Sequence, residues 1–267
     1  MKIIIAGGGI SGVLSAYYLL EGGAKDVVLL ESASEVASKA SGANAAQLSY
    51  TYVNPIGQPS LFRSFLPILT GQKPGMQIKK WQPYLLLWGM RLLANSTTRA
   101  FERNRGKLLN LSLESRANME ALLEKTGITF QGFSRGKLQV YPDAEGFAEA
   151  AAFAQHLKET YGIEQALPGL AQTCELAGDI HLKADAFAGA VYSDIDLTAD
   201  CKVFCQDLLA YLQKHYPGFT VHFDQKIASI EHKGHIKGIR THNDTYEGDR
   251  YLLCTGAGTR ALLGKPL

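Results

Sequence analysis

The chain has little of what marks a secreted, metal-bound, membrane-spanning or nucleic-acid-binding protein. Its four cysteines, Cys174, Cys201, Cys205 and Cys254, form no Cys-x-x-Cys pair. Cys201 and Cys205 are one helical turn apart, yet no His or Cys pair completes a tetrahedral site. The sequence therefore predicts buried free thiols and no metal site. No apolar run reaches the about 18 to 20 residues of a membrane span. The first strand-like run begins at residue 2, which leaves no room for the basic and apolar parts of a signal peptide, so a reducing cytoplasm is the expected compartment. An excess of one charge is also missing: 27 Lys and Arg stand against 25 Asp and Glu, a formal +2. Without a basic run to track a phosphate backbone, nucleic acid is not the expected partner.

What is present starts at the first residues. Ile3 to Ile5 run into Ala6-Gly7-Gly8-Gly9-Ile10-Ser11-Gly12, and a helical pattern follows. This is strand, glycine turn and helix with the Gly-x-Gly-x-x-Gly spacing of a dinucleotide-binding fold. Gly7 permits the tight turn, Gly9 lets a pyrophosphate approach the backbone, and Gly12 lets the helix pack on the strand. The helix N-terminus adds free N–H groups and the positive end of its dipole. A second strand, Asp26 to Leu30, ends in Glu31, 19 positions after Gly12, where a carboxylate reaches ribose hydroxyls. A carboxylate there repels a 2′-phosphate, and no arginine follows it at once, so NADP is disfavoured while FAD and NAD remain.

The run from Ala40 to Ser49 is made of small and amide residues that let backbone press against a flat ligand. Here the sequence resembles the D-amino acid dehydrogenase branch of the glycine oxidase and D-amino acid oxidase (DAO) superfamily, whose members place a Ser-x-Ala-Asn-Ala-Gly-Gln-like segment against FAD. The matching stretch is Ser41 to Gln47, and Ala46 stands where the family has glycine. By that resemblance Ser41, Ala43, Asn44, Ala46, Gln47 and Leu48 join Ala6 to Gly12 and Glu31 as cofactor contacts.

The resemblance continues along the chain. Trp88 with Arg91-Leu92-Leu93 and Arg105-Gly106-Lys107-Leu108 looks like the family's helical insertion, and Gly136 to Tyr141 looks like its first substrate-domain strand. Asp196 to Cys201 resembles the Asp-x-Thr-Gly-Asp-Cys segment that leads back to the cofactor domain. A strand near Val221 to Ile227, ending with Ile227 at the adenine, and Leu252 to Gly258, with Thr255 and Gly256 facing the cofactor, complete the pattern.

The expected fold is α/β: a discontinuous Rossmann-like FAD-binding domain with a partial, inserted α+β substrate domain. Residues 1–134 and 196–267 would form the first, including the helical insertion, and residues 135–195 the second. Within it, Phe147, Ala150, Ala154, Leu157 and Tyr161 predict one buried helix face, which Pro168-Gly169 ends. A helix after Asp200 runs through Phe204, Leu208, Leu209 and Leu212 to Pro217-Gly218. From Val221 onward, short strands turn at Lys233-Gly234 and Asn243-Asp244.

The resemblance implies an FAD-dependent oxidoreductase that deaminates D-amino acids to 2-oxo acids and ammonia, with electrons passed to a quinone or other acceptor. In such enzymes the flavin performs the hydride chemistry, and no catalytic acid or base is assigned here. The seven histidines fall near predicted turns and helix ends, as surface side chains do. Family members continue beyond Leu267 with the groups that grip the substrate carboxylate. The chain is accordingly expected to be a fragment, a truncated product or one piece of a split enzyme, completed by a partner chain. Two other readings stand beside this: a non-catalytic remnant or split subunit of a glycine, sarcosine or hydroxyproline type enzyme, and an NAD-dependent dehydrogenase. Tyr84 to Trp88, within Trp81 to Leu93, is apolar and aromatic enough to touch the inner face of a membrane; the alternative is a helix packed on the cofactor domain.

Overall fold

A computed structural model describes residues 1–62, 68, 83–129, 132–133, 135–178, 180–183, 185–232 and 236–263. The chain divides into two compact units. Met1–Leu48, Leu122–Arg135 and Leu197–Leu267 form the first, and Ser49–Ala121 with Gly136–Asp196 forms the second, so that residues 49–121 fall in the second unit.

In chain order the elements begin with β1 (Lys2–Ala6), α1 (Ile10–Glu21), β2 (Asp26–Leu30) and β3 (Gln47–Leu48). Next come α2 (Pro83–Ala94), α3 (Thr98–Thr126), β4 (Gly132–Phe133), β5 (Lys137–Tyr141), α4 (Ala144–Tyr161), α5 (Leu170–Ala177) and β6 (Gly189–Ser193). The chain returns to the first unit with β7 (Leu197–Ala199), α6 (Cys201–His215) and β8 (Phe219–His222). It closes with β9 (Ile227–His232), β10 (Ile236–Thr241), β11 (Thr245–Tyr246), β12 (Arg250–Leu253) and α7 (Thr259–Leu263).

The first unit is built on a parallel sheet of order β12-β1-β2-β8. Near-continuous apolar runs such as Ile3 to Ile5 and Val27 to Leu30 suit strands buried on both faces. One face, carrying Ile4, Ala6, Val28 and Leu30, packs on Ile239 with Ile227, Tyr246 and Leu253 beside it. Ile239, Ile227 and Tyr246 come from the antiparallel sheet β9-β10-β11. Ile3, Ile5, Val27 and Leu29 alternate to the opposite face and are also buried, as are Val13, Ala16 and Leu20 of α1 and Phe204, Leu208 and Leu212 of α6. Each fully buried aliphatic side chain contributes about 1.5 to 3 kcal/mol, so these layers supply the stability that holds the glycine turn. Asp200 starts α6 by accepting from the Lys202 and Val203 N–H groups at 2.8 and 3.0 Å. Strands β3, β7 and β4 form a small antiparallel sheet in the spatial order β3-β7-β4.

In the second unit β5 pairs antiparallel with β6, Leu138 opposite Tyr192. The buried Asp196 carboxylate accepts from the Tyr50 and Thr51 N–H groups and the Thr51 hydroxyl at 2.7, 3.1 and 2.8 Å, which satisfies the charge and fixes the chain as it enters this unit.

Several expectations need correction. Val221 to Ile227 is not one strand: β8 stops at His222, Asp224 turns with φ 56°, and β9 begins at Ile227. The turn is held by Asp224 N–H on the Ala33 carbonyl at 3.1 Å and Gln225 N–H on the Glu31 carbonyl at 2.8 Å, which draws the chain across the end of β2. Gly169 does not close a helical region but caps the N-terminus of α5. Of the five positions expected to line one face of α4, only Ala154 and Leu157 are fully buried. Only Cys205 of the four free thiols is buried; the others are partly exposed. The predicted turn at Lys233-Gly234 lies outside the described residues, as do Trp81 and the last four residues.

One tie in the first unit lies far from the glycine turn. Glu21, at the end of α1, accepts from the Lys125 ammonium and the Tyr216 hydroxyl. The Lys125 bond, followed by the Tyr216 bond, holds the Glu21 carboxyl below the ordinary carboxylate range. Burial and the Glu21 charge push the Tyr216 phenol up. A carboxyl with a depressed folded-state pKa stabilises the fold above its ordinary pKa, and that contribution is lost as pH falls through the depressed one. Glu21→Gln is expected to lower the thermal midpoint at pH 7 and to cost progressively less below about pH 4. Superimposable melts of the two proteins at pH 7 would contradict the assignment.

Candidate functional site

The carboxyl ends of β1, β2 and β12 converge on the first glycine turn. Gly7 has φ 107°, and a Cβ there would stand 2.5 Å from the Cys254 carbonyl oxygen, so the turn and the end of β12 leave no room for a side chain. A Cβ on Gly12 would lie 1.9 Å from the Gly7 carbonyl oxygen, which fixes how closely α1 approaches the turn. Gly9 is the N-cap of α1 and brings no capping side chain. The Ser41 hydroxyl instead accepts the Ile10 N–H at 3.0 Å, reaching the helix N-terminus from the small-residue segment.

Glu31 is the polar centre of this arrangement and is 7% exposed. One carboxylate oxygen accepts the Gly8 N–H at 2.7 Å; the other accepts the Ser32 hydroxyl and the Ala33 N–H, each at 2.8 Å. The Lys39 ammonium donates to the Ser32 hydroxyl oxygen at 2.8 Å, so a cation and an anion are linked through one hydroxyl.

These groups border a cavity of about 490 Å³ within the first unit. It is lined by Gly7 and Gly9, by Leu30 to Ser32 and by residues 37–41. Gln225, Lys226 and Ile227 also line it, as do residues 254–258 with Ala261 and Leu262. The size and largely apolar lining, with few polar groups converging, suit a small organic ligand. Burial pushes the Cys254 thiol above its ordinary value, with the Ser15 hydroxyl opposing, so the wall there is a neutral thiol at pH 7.

Seven sequence-predicted residues therefore meet at one cavity: Gly7, Gly9, Glu31, Ser41, Ile227, Thr255 and Gly256. Ala6, Gly8, Ile10, Ser11 and Gly12 belong to the strand end, turn and first helical turn around it. Ala43, Asn44, Ala46, Gln47 and Leu48 lie outside its wall. Asn44 folds its own loop, donating to the Ser41 carbonyl at 3.0 Å and accepting the Ala46 N–H at 2.8 Å. Gln47 and Leu48 pair with Thr198 and Leu197.

Sequence reading missed Lys39, Ser32, Gln225 and Lys226. Lys39 stands two positions before Ser41, just outside the run from Ala40 to Ser49, and its charge is the available signal. Gln225 and Lys226 reach the cavity only because the turn after β8 crosses the end of β2, which no local pattern announces. Lys39 also supplies a cation beside Ser32, so the Glu31 charge alone does not exclude a 2′-phosphate.

A parallel sheet, a glycine turn at a helix N-terminus and a carboxylate at the second strand end define a dinucleotide-binding protein. The chain matches the family described as DAO, FAD dependent oxidoreductase, over residues 2–267, and it belongs to that family. FAD is accordingly its cofactor class. The chain is similar to a D-amino acid dehydrogenase of Neisseria meningitidis, 31% identical over 99% of this chain and 63% of the relative. It is also similar to D-amino acid dehydrogenase 2 of Ralstonia nicotianae, 32% identical over 99% and 62%. The chain thus spans a little under two thirds of the length of these relatives. Glycine oxidase from Geobacillus kaustophilus shares the fold with a TM-score of 0.68 at 18% identity, over 100% of this chain and 59% of that one.

Ala46, where the resembling family has glycine, adopts φ 56°. A side chain in that left-handed region costs about 1 to 2 kcal/mol, against about 0.5 to 1 kcal/mol of extra unfolded-state freedom that glycine brings. Ala46→Gly is expected to stabilise the first unit by up to about 1 kcal/mol in urea unfolding. A clear loss of stability would show that the Ala46 methyl makes a packing contact worth more than the strain.

Proposed function

We propose that this cavity holds the adenosine diphosphate part of FAD and that the chain forms the cofactor-binding part of a D-amino acid dehydrogenase. The observation that carries the reading is the convergence of Gly9, Ser41 and Glu31 on one cavity closed by Thr255 and Gly256. The donor set fits the cofactor. Gly9 presents open backbone, the first turn of α1 and the Ser41 hydroxyl supply donors for a pyrophosphate, and Lys39 and Lys226 offset its charge. Glu31 retains lone-pair capacity for ribose hydroxyls beyond the three donors it already accepts. Ile227 and Gln225 offer an apolar side and an amide to an adenine. Gly8, Ile10, Ser11 and Gly12 hold the turn, and Ala43, Asn44, Ala46, Gln47 and Leu48 carry the segment that we assign to the flavin end.

When bound, FAD supplies the acceptor for the hydride leaving the substrate Cα. In the proposed reaction a D-amino acid and water would give a 2-oxo acid and ammonia, and the two electrons would go to a quinone or other acceptor. The residues of this chain bind and orient; none of them is assigned as an acid or base. Because the chain spans 63% of its relative's length, a partner chain or further segment that supplies the substrate-carboxylate grip is part of the proposal. So is a peripheral position at the inner face of a membrane, where a quinone is reached.

Glu31→Gln removes charge-assisted bonds worth about 1.5 to 3 kcal/mol, so FAD affinity is expected to fall by one to two decades. Equilibrium titration followed by flavin fluorescence checks this, and unchanged affinity would reduce Glu31 to a brace for the turn. Dye-linked oxidation of D-alanine is expected only when the 267 residues are joined, in cis or in trans, by the remaining segment found in the relatives. A reconstituted complex that binds FAD yet oxidises no D-amino acid would overturn the substrate assignment.

A further inference from the structure

Helix α2, in the second unit, exposes an apolar surface that the flavin reading leaves without a role. Leu86 is 67% exposed, Trp88 and Met90 54% each, Tyr84 50% and Leu87 49%. Tyr84, Leu87, Trp88 and Arg91 follow each other at spacings of three, one and three, so they form one stripe; Leu86 and Met90, four apart, form a second beside it. Single exposed leucines are ordinary, but five large apolar side chains on one helix of 12 residues make a contiguous patch of the kind that marks an interaction site.

The sequence that runs on from this patch into α3 is one-sided in charge. Between Arg91 and Lys107 the sequence has five cations, Arg91, Arg99, Arg103, Arg105 and Lys107, against the single acid Glu102. That excess of four is larger than the +2 of the whole chain. Glu102 is taken by Arg105, and among the described residues none of the other four cations enters an ion pair. Arg99, Arg103 and Lys107 recur every fourth residue on α3 and are all exposed, which makes a cationic ridge along the helix that follows α2.

We propose that α2 is an interfacial membrane anchor: its Tyr84, Leu87 and Trp88 stripe enters the headgroup region of an anionic bilayer, and Arg91, Arg99, Arg103 and Lys107 bind lipid phosphates. This rests on the peripheral placement proposed above and names the surface and the lipid chemistry that produce it. Three observations select this occupant. Tyr and Trp favour the bilayer interface, where one end of the ring is apolar and the other wet. A helix of 12 residues is about 18 Å long, too short for the about 30 Å hydrocarbon core, so it lies in the surface plane rather than crossing it. A second copy of the chain would bring an identical cationic ridge to the contact, and like charges oppose such pairing.

The chain contains two tryptophans, Trp81 and Trp88, so Trp81→Phe leaves Trp88 as the only indole and as a reporter on the patch itself. Titrated with mixed phosphatidylcholine and phosphatidylglycerol vesicles, this variant is expected to show blue-shifted emission that brominated lipid quenches and high salt reverses. Pure phosphatidylcholine should give little response. Replacing Arg99, Arg103 and Lys107 together by glutamine should weaken binding at least tenfold, because each basic residue near an anionic surface contributes favourably. Leu86→Gln with Leu87→Gln should abolish the shift while flavin content, read from the visible absorbance, stays unchanged. Chain that sediments with vesicles while Trp88 emission stays unshifted would overturn this surface but keep the peripheral placement. Absence of sedimentation would overturn both. A lipid-independent blue shift that grows with protein concentration would mean that a second copy covers the helix.

Discussion

The buried Glu31 carboxylate is the constraint on which the rest of the first unit depends. Through one oxygen it holds the Gly8 N–H, and through the other the Ser32 hydroxyl and Ala33 N–H. The glycine turn after β1 and the chain leaving β2 are thereby fixed in one geometry. Its own carbonyl accepts the Gln225 N–H and brings the start of β9 to the same place. Three segments are thus gathered around one residue, two of them on its carboxylate and the third on its main-chain carbonyl. A charged group this enclosed is tolerable because its oxygens are hydrogen-bonded, and in the site we propose the same enclosure would make it a rigid acceptor for a ribose hydroxyl.

The cavity follows from that gathering. Gly7 must be glycine because the Cys254 carbonyl oxygen occupies the space of a side chain, and this contact locks the end of β12 against the first turn. Thr255 and Gly256, which follow Cys254 directly, line the cavity. The electrostatics are mixed rather than uniformly anionic: Lys39 and Lys226 stand on the wall with Glu31. That balance suits a ligand with an anionic pyrophosphate and neutral hydroxyls, and it is why family membership, rather than the Glu31 charge, decides for FAD.

Legibility in the sequence tracked how local each determinant was. β2 and β5 run over the expected residues because each is a short apolar or alternating run bounded by turn residues. The helix after Asp200 was readable from its cap and from the Pro217-Gly218 stop. α5 is not legible in the sequence because Pro168-Gly169 reads as a stop, whereas Gly169 is the N-cap of this helix. Val221 to Ile227 reads as one strand, but the chain bends at Asp224 because the Asp224 and Gln225 N–H groups donate to carbonyls nearly two hundred positions earlier. At the site, the glycines and Glu31 were legible from spacing, whereas Gln225 and Lys226 depend on that same long-range turn.

The central claim is that this cavity is a flavin dinucleotide site and not a general nucleotide site. Calorimetric titration of the purified apo chain with FAD, and separately with NAD⁺, tests it most directly. The account predicts one FAD per chain, with flavin fluorescence changing on binding, and no displacement of FAD by NAD⁺ at comparable concentration. Stoichiometric retention of NAD⁺ with no uptake of FAD would contradict it.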